Sequence, residues 1–149
     1  MKVALGADHA GFQLKEALKK LLEEMGIASK DFGCASLAQV DYPDFAEAVA
    51  RAVAGGEAER GIIVCGTGIG ASIAANKIPG VRAALCHDTF TAVASRCHND
   101  ANVLCLGARV LEESLACEIA RTWLKTDFSG EERHRRRIGK IAQIEAKRC

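Results

Sequence analysis

Short apolar runs alternate with longer amphipathic stretches along this chain of 149 residues. The short runs have the length of buried β-strands. We predict five strands, over residues 2–6, 28–32, 61–64, 81–86 and 102–106. The stretches between them have helical patterns, and such alternation is typical of a parallel sheet.

The first amphipathic stretch has the clearest helical period. Its apolar residues form one stripe with lysines and glutamates opposite, and they are Leu14, Leu18, Leu21, Leu22 and Met25. Gly26 is the predicted end of this helix. Further helices are predicted over residues 42–54, 71–76, 89–97, 111–124 and 133–147.

The alternation of elements predicts an α/β fold. We expect a Rossmann-like, three-layer arrangement: a five-stranded parallel sheet with helices on both faces and a C-terminal helix. No linker, repeat or low-complexity tract divides the chain, so a single domain is expected over residues 1–149. In such sheets ligands bind beyond the carboxyl ends of the strands.

Composition and charge narrow the classes of function. Hydrophobic residues make up 49 % and charged residues 26 %, as in an ordinary soluble globular protein. A net charge of +1 and 5 % aromatic residues favour neither nucleic-acid nor membrane binding. No apolar run approaches the ~20 residues that span a bilayer, and the first residues lack the pattern of a signal peptide.

The seven cysteines do not predict a disulfide framework, because their number is odd and no C-x-x-C pair occurs. This usage predicts a reducing, cytoplasmic location. Cys86, Cys105 and Cys117 lie in apolar patterns and are expected to be small core residues. Cys149, the last residue of the sequence, is expected to be an exposed thiol without a required role.

The segment over residues 62–77 carries the strongest functional signal. Its apolar run ends at Cys65, and Gly66, Gly68 and Gly70 follow at once. This pattern predicts a strand, a tight loop and a helix start, whose free backbone N–H groups hold an anion or a developing oxyanion. The same N–H groups favour the thiolate form of Cys65, which is therefore a candidate nucleophile or base.

Two other classes of site use similar loops. A phosphatase-type loop has an arginine six positions after its cysteine, but Ala71 stands there, so this class is excluded. The run GTGIGA loosely fits a dinucleotide-binding fingerprint, and Asp88 lies about 20 residues further on, as such sites require. That fingerprint usually opens the first strand–helix unit, whereas this loop follows the third strand. A bound phosphosugar explains the glycines equally well, and both possibilities stay open.

Two short polar clusters, Asp8-His9 and His98-Asn99-Asp100, lie near the ends of predicted elements. A single histidine is more often structural, but two such clusters in loops, each with an aspartate beside it, favour acid–base chemistry near neutral pH. A metal site is not expected, because no histidine or cysteine pair has the spacing of metal ligands.

A basic run covers residues 133–137. Most such runs are solvated helix faces. Arg133, Arg137 and Lys140, however, share one stripe of the predicted helix. Arginines placed in this way bind a phosphate dianion through paired hydrogen bonds.

Six blocks of sequence point to a family. They are VALGADHAGF at 3–12, DYPDFA at 41–46, CGTGIGASIAANK at 65–77, SRCHNDANVL at 95–104, GARV at 107–110 and the R-H-x-x-R of the tail. In this order and spacing, the chain resembles ribose-5-phosphate isomerase type B over almost its whole length. The resemblance implies an aldose–ketose isomerase that interconverts D-ribose 5-phosphate and D-ribulose 5-phosphate without a metal or organic cofactor.

The resemblance also implies roles for the matching residues. Cys65 would be the catalytic base, His98 would open the furanose ring, and Thr67 would help to stabilise the oxyanion. The implied substrate contacts are Asp8, His9, Tyr42, Gly66, Gly68, Ile69, Gly70, Asn99, Arg109, Arg133 and Arg137. Arg135 and Arg136 have no role that the resemblance assigns.

The family forms dimers, sometimes tetramers, with active sites built from two subunits. The resemblance therefore implies a homodimer in which His98, Asn99 and Arg109 of one subunit face the Cys65 loop of the other. Two alternatives to ribose 5-phosphate isomerisation remain at this point. One is an isomerase of a six-carbon 6-phosphate, such as allose or galactose 6-phosphate. The other is a nucleotide-binding domain without catalysis.

Overall fold

All five predicted strands are confirmed and lie parallel in one sheet of the computed structural model, which describes residues 1–147. The strands are β1 (Lys2–Ala7), β2 (Ala28–Asp31), β3 (Arg60–Cys65), β4 (Ala83–Leu85) and β5 (Val103–Gly107). Their order across the sheet is β2-β1-β3-β5-β4. The last strand in the chain therefore inserts between β3 and β4.

Helices cover both faces of this sheet, so the three-layer α/β fold is confirmed. The helices are α1 (Phe12–Glu24), α2 (Tyr42–Ala54), α3 (Ile69–Ala75), α4 (Thr89–Cys97), α5 (Glu113–Lys125) and α6 (Glu132–Ala146). Helices α1, α4 and α5 share one hydrophobic core with the sheet, and α2 and α3 share the other. In α6 the only described residue that is fully buried is His134.

Strand β3 shows why the sheet is buried on both sides. Ile62 and Val64 point into the core beneath α1 and α5, whereas Ile63 and Cys65 point into the core beneath α2 and α3. Side chains alternate along a strand, so a strand covered on both faces reads as a continuous apolar run. Burying each side chain of this size contributes about 1.5–3 kcal/mol.

Helix and strand boundaries differ from the predictions by at most two residues, for local reasons. Helix α3 starts at Ile69, before the predicted residue 71, because the turn at Gly68 already leads into it. Strand β4 is shorter than predicted because Asn102 holds the backbone of Arg82: its Oδ1 accepts from the Arg82 N–H at 2.8 Å, and its own N–H donates to the Arg82 carbonyl at 3.1 Å.

The cysteines follow the predictions in part. Cys86 and Cys105 are buried core residues as expected, and burial raises the pKa of each thiol. Cys117 on α5 is only half-buried and packs against the margin of the core, so its prediction as a core residue is confirmed in part. Cys149 lies outside the described residues. Within residues 1–147, no helix is both long and apolar enough to cross a membrane.

The sheet has two edges that matter for the site. We call the end where β1, β3 and β5 finish the carboxyl edge, and the end where they begin the amino edge. The chain leaves β1 and β3 in opposite directions across the sheet, because it continues from β1 to β2 on one side and from β3 to β4 on the other. Crevices at such a switch point, on the carboxyl edge, bind ligands in open α/β sheets.

Candidate active site

Cys65 is the last residue of β3 and lies at the base of the glycine loop. The residue is 4 % exposed, and its Sγ accepts a hydrogen bond from the backbone N–H of Gly68 at 3.0 Å. A backbone donor aimed at sulfur stabilises negative charge there. The thiol is therefore held in one position by the loop that follows it.

Gly68 makes the turn between Cys65 and α3. Its φ of +79° is left-handed, and a side-chain carbon on it would lie 2.5 Å from Cδ1 of Leu85. Only glycine fits such a turn without strain. Beyond it, the first N–H groups of α3 have no acceptor within the helix, and the exposed Thr67 hydroxyl accepts from the Ile69 N–H at 3.3 Å.

Asp8 and His9 follow β1 directly beside this loop. The Asp8 N–H donates to the carbonyl of Val64 at 3.2 Å, which ties the ends of β1 and β3 together. The buried Asp8 carboxylate accepts the N–H of Gly11 at 3.0 Å. Nδ1 of His9 accepts the N–H of Val40 at 3.2 Å, so a neutral His9 carries its proton on Nε2.

Tyr42 begins α2 and lies over the loop. A side-chain carbon on Gly70 would come within 2.4 Å of Cζ of Tyr42, so the phenol ring occupies the space above that glycine. Tyr42 remains 39 % exposed. Its exposed part is therefore accessible from outside, beside the start of α3.

Arg109 belongs to the same edge. Its N–H donates to the carbonyl of Gly66 at 2.9 Å, and the neighbouring Ala108 N–H donates to the carbonyl of Cys65 at 2.8 Å. A side-chain carbon on Gly66 would lie 3.2 Å from Nη1 of Arg109. The expected grouping of Arg109 with His98 and Asn99 is therefore wrong: this guanidinium lies against the Cys65 loop of its own chain.

His98 and Asn99 lie at the amino edge. They follow α4 and precede β5, and both are exposed. Arg82, just before β4, fixes this segment by donating to the carbonyls of Asn99 at 3.0 Å and Asp100 at 2.8 Å. Asp100 is itself paired with Arg82 and Arg96, so its carboxylate does not orient His98.

The ring of His98 stacks instead on His134. The two ring centroids are 4.5 Å apart and the planes are tilted by 34°. His134 is 4 % exposed, and its Nδ1 lies 2.7 Å from the hydroxyl of Ser129. Burial lowers the pKa of His134 most strongly, and the neighbouring His98 and Arg133 lower it further.

The arginines of α6 extend from the same region. Arg133 donates to Glu131 at 2.8 Å, and Arg136 donates to Glu132 at 2.8 Å. Arg135 donates to the carbonyl of Gly130 at 2.7 Å. Among the described residues Arg137 forms no ion pair, so an added anion does not have to displace a carboxylate from its guanidinium.

The predicted site residues thus fall into two groups. The carboxyl-edge group is Asp8, His9, Tyr42, Cys65, Gly66, Thr67, Gly68, Ile69, Gly70 and Arg109, and the amino-edge group is His98, Asn99, Arg133 and Arg137. Cys65 pairs with Gly107 at one end of β5, whereas Val103 is at the other end. At ~3.3 Å per residue, the edges are about 13 Å apart, so one chain does not bring Cys65 and His98 together.

Asp88 is not placed to bind a ribose. It is the N-cap of α4, where its Oδ1 accepts both the N–H and the hydroxyl of Thr91 at 2.7 Å. These hydrogen bonds lower the pKa of the Asp88 carboxyl. The acidic residue of the dinucleotide fingerprint is therefore used by its own helix, which weakens that alternative.

Sequence reasoning missed His134, because it stands inside a run of arginines. A signal was present: His134, Ile138 and Ile141 recur at helical spacing on one face of α6. That face of the helix is different from the one that carries Arg133, Arg137 and Lys140. A histidine at the head of an apolar stripe is a candidate for burial.

Known proteins resemble the chain over its whole length. The family profile described as Ribose/Galactose Isomerase matches residues 3–141. A Bacillus subtilis protein named putative sugar phosphate isomerase is 52 % identical over 148 residues, 99 % of each chain. Ribose-5-phosphate isomerase B of Escherichia coli is 47 % identical over 147 residues, 99 % of this chain and 98 % of that protein.

Solved structures agree with the sequence comparison. The structure of ribose-5-phosphate isomerase B from Clostridium thermocellum superposes with a TM-score of 0.98 at 51 % identity. The match covers 100 % of both chains. The likeness therefore includes both edges of the sheet and the C-terminal helix.

Proposed function

The chain belongs to the ribose/galactose isomerase family, and we propose that it interconverts D-ribose 5-phosphate and D-ribulose 5-phosphate as an aldose–ketose isomerase. The observation that carries this proposal is the position of Cys65. A thiol at a sheet switch point, with a backbone N–H on its sulfur and a glycine loop around it, is suited to moving a proton beside an oxyanion.

The first step is the opening of the furanose. The bond from C1 to the ring oxygen breaks, the ring oxygen takes up one proton, and the anomeric hydroxyl gives up one proton. His98 is suited to this exchange, because an imidazole gives and takes protons near neutral pH. Its exposure leaves the ring open to a substrate.

The second step moves a proton between C2 and C1. The Cys65 thiolate removes it from one carbon and returns it to the other through a cis-enediolate, while the hydroxyl proton passes between O2 and O1 so that the carbonyl and hydroxyl groups exchange places. The negative oxygen of that intermediate accepts hydrogen bonds from N–H groups of the loop over residues 66–70 other than that of Gly68, which donates to the sulfur, and from the Thr67 hydroxyl. A positioned base of this kind contributes about 10²–10⁴-fold, and each oxyanion donor is worth about 2.7–4 kcal/mol.

The phosphate gives binding energy at a distance from the reacting carbons. Arg137 is its main proposed partner, because Arg133 is engaged by Glu131. His9, with its Nε2 proton free, and Arg109 contribute donors from the carboxyl edge. Asn99, Asp8 and Tyr42 are proposed to contact the sugar.

These roles require two chains, since the two groups of residues lie at opposite edges of one sheet. We propose a homodimer in which the Cys65 loop of one subunit meets His98 and Asn99 of the other. Exposed apolar side chains support this assembly: Ile69, Ile73, Phe90, Val93, Ile141 and Ile144. Of these, Ile141 and Ile144 line a groove of about 580 Å³ that Asn99 also lines. Further association into a tetramer is not required.

A coupled assay for ribulose 5-phosphate, run with and without a chelator, tests the reaction. We expect turnover of ribose 5-phosphate that the chelator leaves unchanged, as proton transfer by protein groups alone requires. Absence of turnover with correctly folded protein would overturn the proposal. We also propose a reducing, cytoplasmic setting, which suits the free thiols at Cys34, Cys65, Cys86 and Cys105.

Two comparisons separate the alternatives. The ratio of kcat/KM for ribose 5-phosphate over allose 6-phosphate should exceed one if the pentose is the substrate. Calorimetry with NAD and with ribose 5-phosphate should show binding of the sugar phosphate only. The opposite result would favour a nucleotide-binding domain.

A further inference from the structure

Among the described residues, His134 is a buried titratable group that the mechanism above does not use. It heads α6, and its backbone N–H donates to the carbonyl of Glu131 at 3.0 Å. Ser129 fixes the imidazole through Nδ1 at 2.7 Å, and the Ser129 N–H donates to the carbonyl of Cys97 at 3.1 Å. The ring is thus anchored to the segment that ends in His98.

His98 itself is exposed, and the stack on His134 is what orients its ring. An exposed side chain otherwise loses conformational entropy when a substrate must fix it. A neighbour that already holds the ring in place removes that cost before binding. Misplacement of a reacting group by about 1 Å costs up to ~10²-fold in rate.

The charge state of His134 also suits a neighbour of His98. The charged groups around His134 are His98 itself, Arg133 and Arg137 on α6, and Glu131 before it. Burial is the largest cause of its lowered pKa, so the ring is neutral near pH 7. A neutral ring adds no repulsion when His98 takes up a proton.

We infer that His98 and His134 form a ring-opening pair that works without Cys65, with His98 moving the protons and His134 acting as the positioning residue. This inference rests on the proposed function. Ring opening transfers protons between oxygens only, at O1 and at the ring oxygen, whereas Cys65 acts on carbon. The two steps therefore involve different atoms of the substrate, and the residues that act in them lie at opposite edges of the sheet.

The inference implies a second activity. An opened aldehyde can close on either face of C1, with the ring oxygen giving up its proton and O1 regaining one. The protein should therefore exchange the α and β anomers of ribose 5-phosphate even when it cannot isomerise the sugar. The rate of anomer exchange therefore measures ring opening by His98 and His134 without the contribution of Cys65.

The test measures anomer exchange by NMR on ribose 5-phosphate carrying ¹³C at C1. The Cys65→Ala variant should accelerate exchange above the spontaneous rate, and adding His98→Asn should return it to that rate. Adding His134→Ala should lower the acceleration by about 10²-fold, and His134→Phe, which keeps a ring for stacking, should recover part of the loss. His87→Asn, at an exposed histidine outside both groups, is the matched control.

Two further measurements apply if the Cys65→Ala variant binds its substrate poorly or if the His134 variants do not fold. If the Cys65→Ala variant binds ribose 5-phosphate poorly, wild-type protein is tested with 2-deoxyribose 5-phosphate instead. This sugar lacks the C2 oxygen that an enediolate needs, so it is not isomerised, but its anomers should still be exchanged. Ser129→Ala, which removes only the anchor of the ring, replaces the His134 variants if these do not fold, and it should lower exchange less than His98→Asn.

The outcomes separate this inference from the proposed function. If wild-type protein forms ribulose 5-phosphate but neither measurement shows exchange above the spontaneous rate, the pair does not work independently. If exchange is unaffected by His134→Ala, or by Ser129→Ala where that variant replaces it, His134 does not position His98. If wild-type protein forms no ribulose 5-phosphate, the proposed function itself fails.

Discussion

The carboxyl edge and the amino edge of the sheet carry the two halves of the proposed site, and they are built in different ways. At the carboxyl edge the key groups are buried and held by backbone hydrogen bonds, as with Cys65 on the Gly68 N–H and Asp8 on the Gly11 N–H. At the amino edge the side chains are exposed: His98 and Asn99 follow the end of α4, and Arg137 lies on α6.

This difference assigns different tasks to the two halves. A thiol and an oxyanion loop must be preorganised, because charge stabilisation is strongest when donors need not move during the reaction. Groups that bind a phosphate or open a ring must reach the substrate from outside. In a single chain, therefore, the proton-transfer groups of the carboxyl edge are already held in place, whereas the ring-opening and phosphate-binding groups of the amino edge are exposed.

The largest expected effect is loss of the thiol. Cys65→Ala should lower kcat by about 10²–10⁴-fold while sugar-phosphate binding, measured by calorimetry, is retained. The matched control is Cys105→Ala, a buried thiol on the adjacent strand. It should cost about 1 kcal/mol of stability and leave kcat near that of the wild type. Equal kcat in Cys65→Ala and wild-type protein would remove the sulfur from the mechanism.

Loss of the phosphate contact should have the next largest effect. Arg137→Ala should raise KM for ribose 5-phosphate by about 10- to 100-fold, as expected for a lost hydrogen bond to a charged group. The effect should fade with unphosphorylated ribose. Arg136→Ala on the same helix, where the guanidinium already pairs with Glu132, is the control and should leave KM nearly unchanged. A similar KM for both variants would contradict the assignment.

Two glycine substitutions test the difference in rigidity between the Cys65 loop and α6. Gly68→Ala should lower the free energy of unfolding by about 1–3 kcal/mol for a strained left-handed residue, with additional loss from the contact with Leu85. Gly139→Ala on α6, where the added carbon meets nothing within 4 Å, should stabilise by about 0.5–1 kcal/mol. Denaturant unfolding of both variants measures this, and equal signs would contradict it.

The smallest expected effect is a pH dependence of stability at the amino edge. Because burial lowers the pKa of His134, the unfolded chain binds more protons between that pKa and about 6.5. The free energy of unfolding should therefore fall as pH drops through this window. His134→Phe should flatten the fall between pH 7.5 and 5.5, and an equally steep profile in this variant would count against it.

Much of the fold was predictable, because the local pattern determines it. Ile62, Ile63 and Val64 form a strand buried on both faces, and the stripe of Leu14, Leu18 and Leu22 forms one covering helix. These signals lie within a few residues of each other in sequence. The Cys65 loop was predictable for the same reason, since strand, glycines and helix are contiguous.

The predictions that failed concerned residues whose positions depend on contacts between segments distant in sequence. Arg109 was misplaced because the resemblance grouped it with His98 and Asn99, whereas its contact with Gly66 forms only when β5 lies beside β3. His134 was overlooked because it stands among arginines, and its contact with His98, which follows α4, joins segments that are far apart in the chain. Long-range pairing, rather than local propensity, decided both.

The most direct test of the shared site is complementation between two inactive variants. Subunits carrying Cys65→Ala and subunits carrying His98→Asn are co-expressed or exchanged, and isomerase activity is compared with that of each variant alone. A mixed dimer has one site with both wild-type residues, so random pairing should restore about one quarter of wild-type activity. If purified mixed dimers are as inactive as the two parents, Cys65 and His98 do not meet across an interface, and the account is contradicted.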